Sequence, residues 1–259
     1  MGRCGAAGVS GRRVPIANLA VGQRRLDGAL AHYLVRVLRL RAGDAFIAFD
    51  ATSLHEADAT AVWADDDSIT VRFGAPREAA VRTSRGLTWI QGLAKADKCD
   101  AVVRDATELG ATRVVVVATR RSVVKLERER SEARRARWAR IAEQAARQSG
   151  RSDVPLVDAP CPWPEALERV DSVDARFCLW EGAVDPLAAP LFDALARSVP
   201  LAFACGPEGG LDAGEVSQAR ARGWTLVTLG PRMLRTETVA AAVLGAVQVW
   251  TGLFERSTH

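Results

Sequence analysis

The sequence predicts an α/β protein in which a small β-rich module precedes a larger domain with a parallel sheet. The main observation is that short, nearly all-apolar runs in the second part of the chain alternate with segments long enough for helices. Strands buried on both faces of a parallel sheet have this composition. The predicted strands of this sheet are residues 87–93, 114–118, 176–180, 201–205 and 225–229.

The first part of the chain has shorter β-like runs separated by turn residues, which is the second observation. These predicted strands are residues 45–49, 56–63 and 68–73. Between them and the N-terminus, residues 29–40 carry apolar side chains at helical spacing and are predicted to form a helix. The polar stretch 76–86 is the predicted linker. We therefore expect two domains, residues 12–76 and 84–256.

Helices are predicted between the strands of the second domain. Residues 100–109 and 213–222 have helical patterns, and Asp212 with Glu215 has the spacing of a capping box at the start of the latter. The last predicted helix covers residues 236–254. Its many Ala and Val residues predict that it is mostly buried.

Composition excludes several classes of protein. The chain has 259 residues, 48% apolar and 25% charged, and no apolar run approaches the roughly 18 residues that a membrane span needs. The first eleven residues lack the apolar region of a signal peptide. The five cysteines are scattered and never spaced as CxxC, so neither a disulfide framework nor a metal site is expected. A reducing cytoplasm is the expected location.

Positive charge is concentrated in one part of the chain. Residues 120–151 contain eleven Lys or Arg against four Glu, a local net of +7, so the remaining residues sum to −3 within the total of +4. Such asymmetry is typical of a polyanion-binding face, and Lys125, Arg147 and Arg151 are the candidate nucleic-acid contacts within it. The alternative is a solvated helix whose Glu and Arg residues pair at i,i+3 and i,i+4.

Common catalytic fingerprints are missing from the sequence. It contains no GxGxxG after a strand, no GxxxxGK[ST], no GxSxG and no HExxH, and it has three histidines in all. A dinucleotide site, a P-loop and a histidine-based triad are therefore not indicated. Any catalysis is expected to work without a histidine base.

Two glycine-containing turns near the C-terminus form the candidate site. Residues 206–210 (GPEGG) and residues 229–238 (LGPRMLRTET) each follow a predicted strand and open a helix. Ligands of open α/β sheets bind outside the carboxyl ends of the strands, where glycine lets the backbone approach and helix N-termini offer amides. The two turns are expected to share one pocket, although glycines serving only as turns would give the same pattern.

These turns resemble the signature pair of the ribosomal RNA small subunit methyltransferase E family, the uridine-N3 methyltransferases of 16S rRNA. Further motifs occur in the order and approximate spacing of that family. They are Lys95 with Lys98, Thr107-Glu108-Leu109-Gly110, Arg120-x-Ser122, Gln148-Ser149-x-Arg151 with Pro155, and His32 with Val37-Leu38-Arg39-Leu40 and Gly43-Asp44. The resemblance covers roughly residues 12–254.

The resemblance implies a fold, a cofactor and a partner. It implies a PUA-like β-barrel that helps to hold RNA, followed by a SPOUT methyltransferase domain whose C-terminal segment forms a trefoil knot. Such domains bind S-adenosylmethionine (SAM) in the knot and act as homodimers on 16S rRNA. The implied cofactor-binding residues are Leu179, Trp180, Glu181, Gly206, Pro207, Glu208, Gly209, Leu229, Gly230, Met233 and Leu234.

Catalysis and RNA binding are assigned to charged residues on the same basis. Arg235 is expected to stabilise developing charge or grip a phosphate, and Glu237 to orient Arg235 or accept a proton. The structural alternatives are an ion pair of Arg235 with Glu208 and a dipole contact of Glu237 in the first helical turn. The general base stays open. The expected RNA contacts outside the basic cluster are Arg12, Arg13, His32, Arg36 and Arg39, with a purely structural His32 as the alternative.

Two alternative functions accompany this hypothesis. One is a SPOUT methyltransferase that acts on another RNA nucleotide, such as a ribose 2′-hydroxyl. The other is a catalytically silent RNA-binding or ribosome-assembly module with the same fold. Only the enzymes transfer a methyl group from SAM, and only product analysis separates the two enzymes.

Overall fold

The computed structural model describes residues 12–65, 67–79, 85–95, 97–122 and 128–256. The chain divides into two compact units. The first contains residues 1–82 and 146–153, and the second contains residues 83–145 and 154–259. Residues 146–153 thus belong to the first unit, although the sequence predicts a second domain over the continuous range 84–256.

The described part of the first unit is built on a six-stranded sheet. Its strands are β1 (Arg13–Pro15), β2 (Gly22–Asp27), β3 (Ala45–Asp50), β4 (His55–Ala64), β5 (Ser68–Phe73) and β6 (Arg77–Glu78). The order is β1-β3-β4-β5-β2, with β6 beside β4, and the β1–β3 pair is parallel while the other pairs are antiparallel. Phe46, Val71 and Leu34 lie fully buried against its inner face. The three strands predicted here are confirmed, each extended by at most one residue at an end.

The helix predicted over residues 29–40 is wrong in its second half. Helix α1 covers Gly28–His32, a π-helical segment covers Tyr33–Val37, and Arg39 has a left-handed φ of 54°. The reason is that Leu34 and Leu40 are both buried, at 0% and 2% exposure. Six residues of α-helix would leave their side chains about 120° apart, so the chain leaves the helix after Val37 and turns at the left-handed Arg39, which brings Leu40 into the same core.

The second unit has a parallel sheet covered by helices on both faces. Its described strands are β7 (Leu87–Gly92), β8 (Arg113–Ala118), β9 (Leu156–Val157), β10 (Cys161–Pro162), β11 (Ala175–Leu179), β12 (Leu201–Cys205) and β13 (Thr225–Val227). The order is β10-β8-β7-β12-β11-β13, with β9 also paired to β8, and every pairing is parallel. All five residues of β12 are buried, as its uninterrupted apolar run predicts.

The helices of the second unit connect these strands. They are α2 (Lys98–Glu108), α3 (Arg128–Ser149, whose last turn belongs to the first unit), α4 (Trp163–Glu168), α5 (Ala188–Ala196), α6 (Ala213–Ala221) and α7 (Thr236–Arg256). The five predicted strands and the three predicted helices are found within two residues of their predicted ends. The strands β9 and β10 were not predicted, because two residues are too short for a hydrophobic period to show.

Helix α7 differs from its prediction in burial. Val243, Leu244 and Val247 are buried on one face, but Val249 is 67% exposed on another. Counting Ala and Val predicted a mostly buried helix. The helix instead lies on one side of the sheet, so only the side chains that face the sheet and its neighbouring helices α2 and α5 are covered. None of the described helices has the length and apolar character that crossing a membrane requires.

Candidate functional site

The two glycine-containing turns lie at one edge of the sheet. Strands β12, β11 and β13 lie side by side and parallel, so their carboxyl ends meet at the same edge. The loops that follow them line a cavity of about 880 Å³. The lining includes every one of the eleven residues predicted to bind the cofactor, together with Arg235. Glu237, the other predicted catalytic residue, is outside the lining.

The first turn is so compact that it excludes side chains. A Cβ added to Gly206 would lie 2.7 Å from the carbonyl carbon of Gly210, and one added to Gly210 would lie 2.5 Å from Oε1 of Glu181. Gly210 also has a left-handed φ of 72°. Glycine is therefore required at both positions, and the turn presents bare backbone to the cavity.

The second turn depends on glycine for its conformation. Gly230 has a φ of 110° with open space around its Cα, which a residue with a Cβ adopts only under strain. The Gly230 N–H donates to Oγ1 of Thr228 at 3.3 Å. Beyond it, the side chains of Met233 and Leu234 are 82% and 38% exposed at the cavity. Exposed apolar side chains beside a cavity are typical of a ligand or partner surface.

Lys98 is a lining residue to which the sequence analysis gave no role. Its Nζ lies 3.2 Å from Oε1 of Glu208 and 3.8 Å from Oε2 of Glu237, and it is part of the cavity wall. The only signal in the sequence was the position of Lys95 and Lys98 in the family motif. The contact itself joins α2 to the two turns, which residue spacing does not reveal.

The Glu208 carboxylate is held by several donors. Burial raises its pKa, but hydrogen bonds from its own backbone N–H, from the Lys95 N–H at 3.1 Å and from Lys98, with the charge of Lys98, outweigh that effect. The pKa of Glu208 is therefore below the usual 4.5, and the side chain is ionised at neutral pH. The cation that pairs with Glu208 is therefore Lys98 and not Arg235.

The Arg235 side chain is exposed and makes no hydrogen bond or ion pair with any residue the structure describes, whereas its backbone carbonyl accepts from the Val239 N–H at 3.1 Å. The structural alternative of an Arg235–Glu208 ion pair is therefore wrong, because Lys98 occupies that carboxylate. Nor does Glu237 pair with Arg235 within the described residues; its carboxylate faces Lys98. Arg235 lines the cavity with its guanidinium available to a ligand.

Arg121 is a second charged residue that the sequence analysis did not assign. Its Nη1 donates to the carbonyl oxygen of Gly209 at 2.9 Å and lies 3.9 Å from Oε1 of Glu181. The side chain thus crosses the outer side of the glycine turn. Arg232 and Arg235 are exposed in the cavity wall, and Arg121 is exposed beside it.

Cys205 also faces the cavity but has no thiolate chemistry at neutral pH. Burial raises the pKa of its thiol to about 11, against the opposing effect of a contact with Thr236. Cys99, Cys161, Cys178 and Cys205 are all free and buried. Among the residues that the structure describes, no three His, Cys, Asp or Glu side chains gather as metal ligands.

Two predicted RNA contacts are buried ion pairs, and the structure corrects them. Arg13 lies 2.7 Å from Oε2 of Glu56, and both side chains are less than 10% exposed. Arg151 is 4% exposed and binds Asp153 through Nε and Nη2. A guanidinium that is buried against a carboxylate is not available to a phosphate, so both residues have structural roles.

The other predicted RNA contacts keep their accessibility where the structure describes them. Arg12, His32, Arg36 and Arg39 are exposed in the first unit. Arg147 is half-buried, with its guanidinium 5.3 Å from the centre of the Tyr33 ring. Lys125 lies outside the described residues. These six positions stay predictions.

Comparison with known proteins relates the two units to RNA modification. Residues 82–248 match the model of an RNA methyltransferase domain, and residues 26–73 match that of an RNA methyltransferase PUA domain. The chain is 31% identical over 235 residues to the ribosomal RNA small subunit methyltransferase E of Bacillus subtilis, covering 88% of this chain and 90% of that protein. It is equally identical, over 230 residues, to the Synechocystis protein of the same name, covering 86% and 71%.

A solved structure gives the same result for the fold. The crystal structure of a ribosomal RNA small subunit methyltransferase E from Neisseria gonorrhoeae bound to SAM is 28% identical, with a TM-score of 0.82 over 93% of this chain and 98% of that one.

Proposed function

Because the chain belongs to the ribosomal RNA small subunit methyltransferase E family of RNA methyltransferases, we propose that it methylates N3 of a uridine in 16S rRNA, using SAM. The observation that carries the proposal is the cavity at the carboxyl edge of the sheet, which brings the eleven predicted cofactor residues and Arg235 together. The alternatives named in the sequence analysis share this site and are separated by experiment.

The residues of the cavity fit SAM. A volume of about 880 Å³ is within the range of small-molecule sites and leaves room for a base beside the cofactor. The turns beginning at Gly206 and Gly230 offer unobstructed backbone groups to the adenosine, and Leu179, Leu229 and Met233 offer apolar surface. When bound there, SAM supplies an electrophilic methyl group on its sulfonium.

The charged residues of the site suit the remaining chemistry. The N3 proton of uridine must leave before the nitrogen can attack, and negative charge then spreads over N3 and the neighbouring oxygens. Arg235, unpaired within the described residues, stabilises that charge. Glu237 accepts the proton; the Nζ of Lys98 lies 3.8 Å from Oε2 of its carboxylate. The work is mainly positioning and charge stabilisation.

RNA reaches the site past the exposed guanidinium groups of Arg232 and Arg235 in the cavity wall and of Arg121 beside it. In the first unit, Arg12, His32, Arg36 and Arg39 provide further exposed contacts, and Arg147 and Lys125 complete the proposed set. The match to a PUA domain supports an RNA-holding role for this unit.

The decisive experiment offers the protein labelled SAM and small-subunit RNA that lacks the modification, both as naked 16S rRNA and as assembled subunits. We expect tritium transfer to one of the two substrates, and mass spectrometry of the nucleosides should locate the methyl group on N3 of uridine. A methyl group at another position would identify a different RNA methyltransferase. Binding of SAM and RNA without transfer to either substrate would identify a silent RNA-binding module.

We also propose that the protein acts as a homodimer with a trefoil knot, in the cytoplasm. Exposed apolar side chains on α5 and α7 support the dimer: Phe192 is 50% exposed and Val249 67%. Sedimentation should give twice the chain mass of 27.8 kDa, and Val249→Glu should shift it to one chain. The knot is proposed on the basis of the family match. The buried free thiols suit a reducing compartment.

A further inference from the structure

A polar side chain lies in the middle of the apolar sheet of the second unit. Gln91, near the end of β7, is 0% exposed. Its Nε2 lies 2.7 Å from Oγ1 of Thr236, 3.2 Å from the carbonyl oxygen of Gly206 and 3.0 Å from that of Gly92, three acceptors that share its two N–H donors. Its Oε1 accepts from Nε1 of Trp89 at 3.1 Å, which sets the orientation of the amide. Every polar atom of the side chain is thus satisfied.

Thr236 completes the network from the other side. It is the first residue of α7, is 5% exposed, and its hydroxyl donates to the carbonyl oxygen of Gly206 at 2.7 Å. The Gly206 oxygen therefore accepts from both Gln91 and Thr236. We call the side chains of Gln91 and Thr236 with this oxygen the clasp. It joins three chain segments: the end of β7, the start of the first glycine turn and the start of α7.

The position of the clasp relates it to the proposed reaction. Gly206 begins the turn that lines the cofactor cavity, and Thr236 lies between Arg235 and Glu237. One buried network thus sets where the cofactor wall and both predicted catalytic residues begin. Burial restricts the network to a single arrangement, because an unpaired amide or hydroxyl there would lose its hydrogen bonds without gaining water.

The hydrogen bond between the two side chains, Gln91 and Thr236, is not required for stability alone. Replacing both partners of a buried hydrogen bond by apolar groups of the same shape can be nearly neutral for folding. Apolar groups pack without a preferred direction, so they do not fix the position of the glycine turn relative to the start of α7. We propose that Gln91 and Thr236 are positioning residues, which hold the turn at Gly206 and the Arg235–Glu237 segment in the geometry for methyl transfer. This inference rests on the proposed function.

The test compares Thr236→Val, which keeps the shape but removes the hydroxyl, with Thr236→Ser, which keeps the hydroxyl. Thr107→Val is the matched control, because the Thr107 hydroxyl is also buried but donates to the Val103 carbonyl within α2, away from the cavity. Calorimetry measures SAM affinity, and single-turnover transfer at saturating SAM and RNA measures the chemical step. Hydrogen exchange measures the opening of residues 206–210 and 235–239 in the protein without ligands.

Thr236→Val should slow single-turnover transfer by about tenfold to a hundredfold, the effect of a small misplacement of reacting groups. Exchange at both segments should rise by roughly fivefold to tenfold, corresponding to one lost hydrogen bond. Thr236→Ser should restore both, and Thr107→Val should lower the melting temperature without changing either. Gln91→Met should reproduce the pattern of Thr236→Val and carries the test if that variant does not fold.

The double variant Gln91→Met/Thr236→Val provides a separate criterion. Because the two side chains act through one network, the double variant should transfer no more slowly than the slower single variant.

Several results would contradict the positioning role of the clasp. In one, Thr236→Val transfers at the wild-type rate at saturation, or exchanges like Thr107→Val at both segments. In another, Thr236→Ser fails to rescue. The proposed function fails separately: wild-type protein then shows no methyl transfer to either RNA substrate, while the exchange data still report whether the clasp holds the two segments.

Discussion

The charged residues at the cavity differ in whether another protein group already neutralises their side chains. Glu208 is bound by Lys98 and by the Lys95 N–H, whereas Arg235 has no partner among the described residues although it lines the same cavity. An exposed guanidinium without a partner gains little for folding. We therefore predict that Arg235 contacts a ligand rather than stabilising the fold.

Replacing Arg235 by alanine should affect the reaction more than the cofactor. We expect Arg235→Ala to lower the single-turnover rate about a hundredfold, the usual effect of removing one positioned charge donor, with little change in SAM affinity. Arg220→Ala, on the exposed side of α6, is the control and should transfer normally. Loss of SAM binding with a normal rate at saturation would instead make Arg235 a structural residue.

The Glu208 carboxylate should make stability depend on pH. Its pKa is lower in the folded protein than the ordinary 4.5, so its contribution is present above that value and is lost as pH falls through the lowered pKa. Glu208→Gln should therefore be less stable than wild type at neutral pH, and the difference should shrink on acidification below 4.5. Urea denaturation across this range measures it. A difference that grows on acidification would contradict the assignment.

At the scale of the elements, the capping box of α6 also makes a contact with a distant part of the chain. The capping box predicted from Asp212 and Glu215 is confirmed: the Gly214 N–H donates to Asp212 at 2.9 Å, and the Asp212 N–H donates to Glu215 at 2.9 Å. Glu215 is also 4% exposed and accepts from the Arg120 N–H at 2.7 Å. It therefore connects α6 to the loop after β8.

The two capping residues should differ in their effect on stability. Asp212→Ala should lower the free energy of unfolding by about 1 kcal/mol, the usual loss of an N-cap. Glu215→Ala leaves the Arg120 and Asp212 N–H groups without their acceptor and should cost about 2–3 kcal/mol. Denaturant unfolding of the two variants measures the difference. Equal losses would show that water replaces the Glu215 carboxylate at the Arg120 amide.

For the whole molecule, the net charge of +4 is a poor guide to which cations meet RNA. Arg13 and Arg151 count toward it but lie buried in ion pairs. Arg36 and Arg39, on and after the π-helical segment of the first unit, are exposed. Accessibility, rather than total charge, therefore selects the residues to test.

The double variant Arg36→Ala/Arg39→Ala should weaken RNA binding and flatten its dependence on salt. Each lost phosphate contact lowers the slope of log affinity against log salt by about 0.7 to 0.9, so two contacts lower it by about 1.4 to 1.8. Filter binding over a salt series measures this. The control Arg176→Ala/Arg222→Ala removes the same charge from residues paired with Asp171. Equal salt slopes for both double variants would show that Arg36 and Arg39 do not contact RNA phosphates.

The sequence by itself determined the longer strands of both sheets except β2, the capping box of α6 and the two glycine-containing turns of the candidate site. Strand β12 was predictable because a strand buried on both faces needs an unbroken apolar run. The glycine turns were predictable because they depend on backbone conformations that glycine adopts most easily, such as the φ of 110° at Gly230. These are local properties, set by a few consecutive residues.

Tertiary structure alone decided which polar groups meet. Gln91 contacts Thr236 across 145 positions of sequence, and Lys98 rather than Arg235 neutralises Glu208. Both contacts follow from the strand order β7-β12-β11, which places chain segments side by side that no local period relates. Burial of Arg13 and Arg151 was decided in the same way, because the energy of a charged side chain depends on the partners that distant segments bring to it.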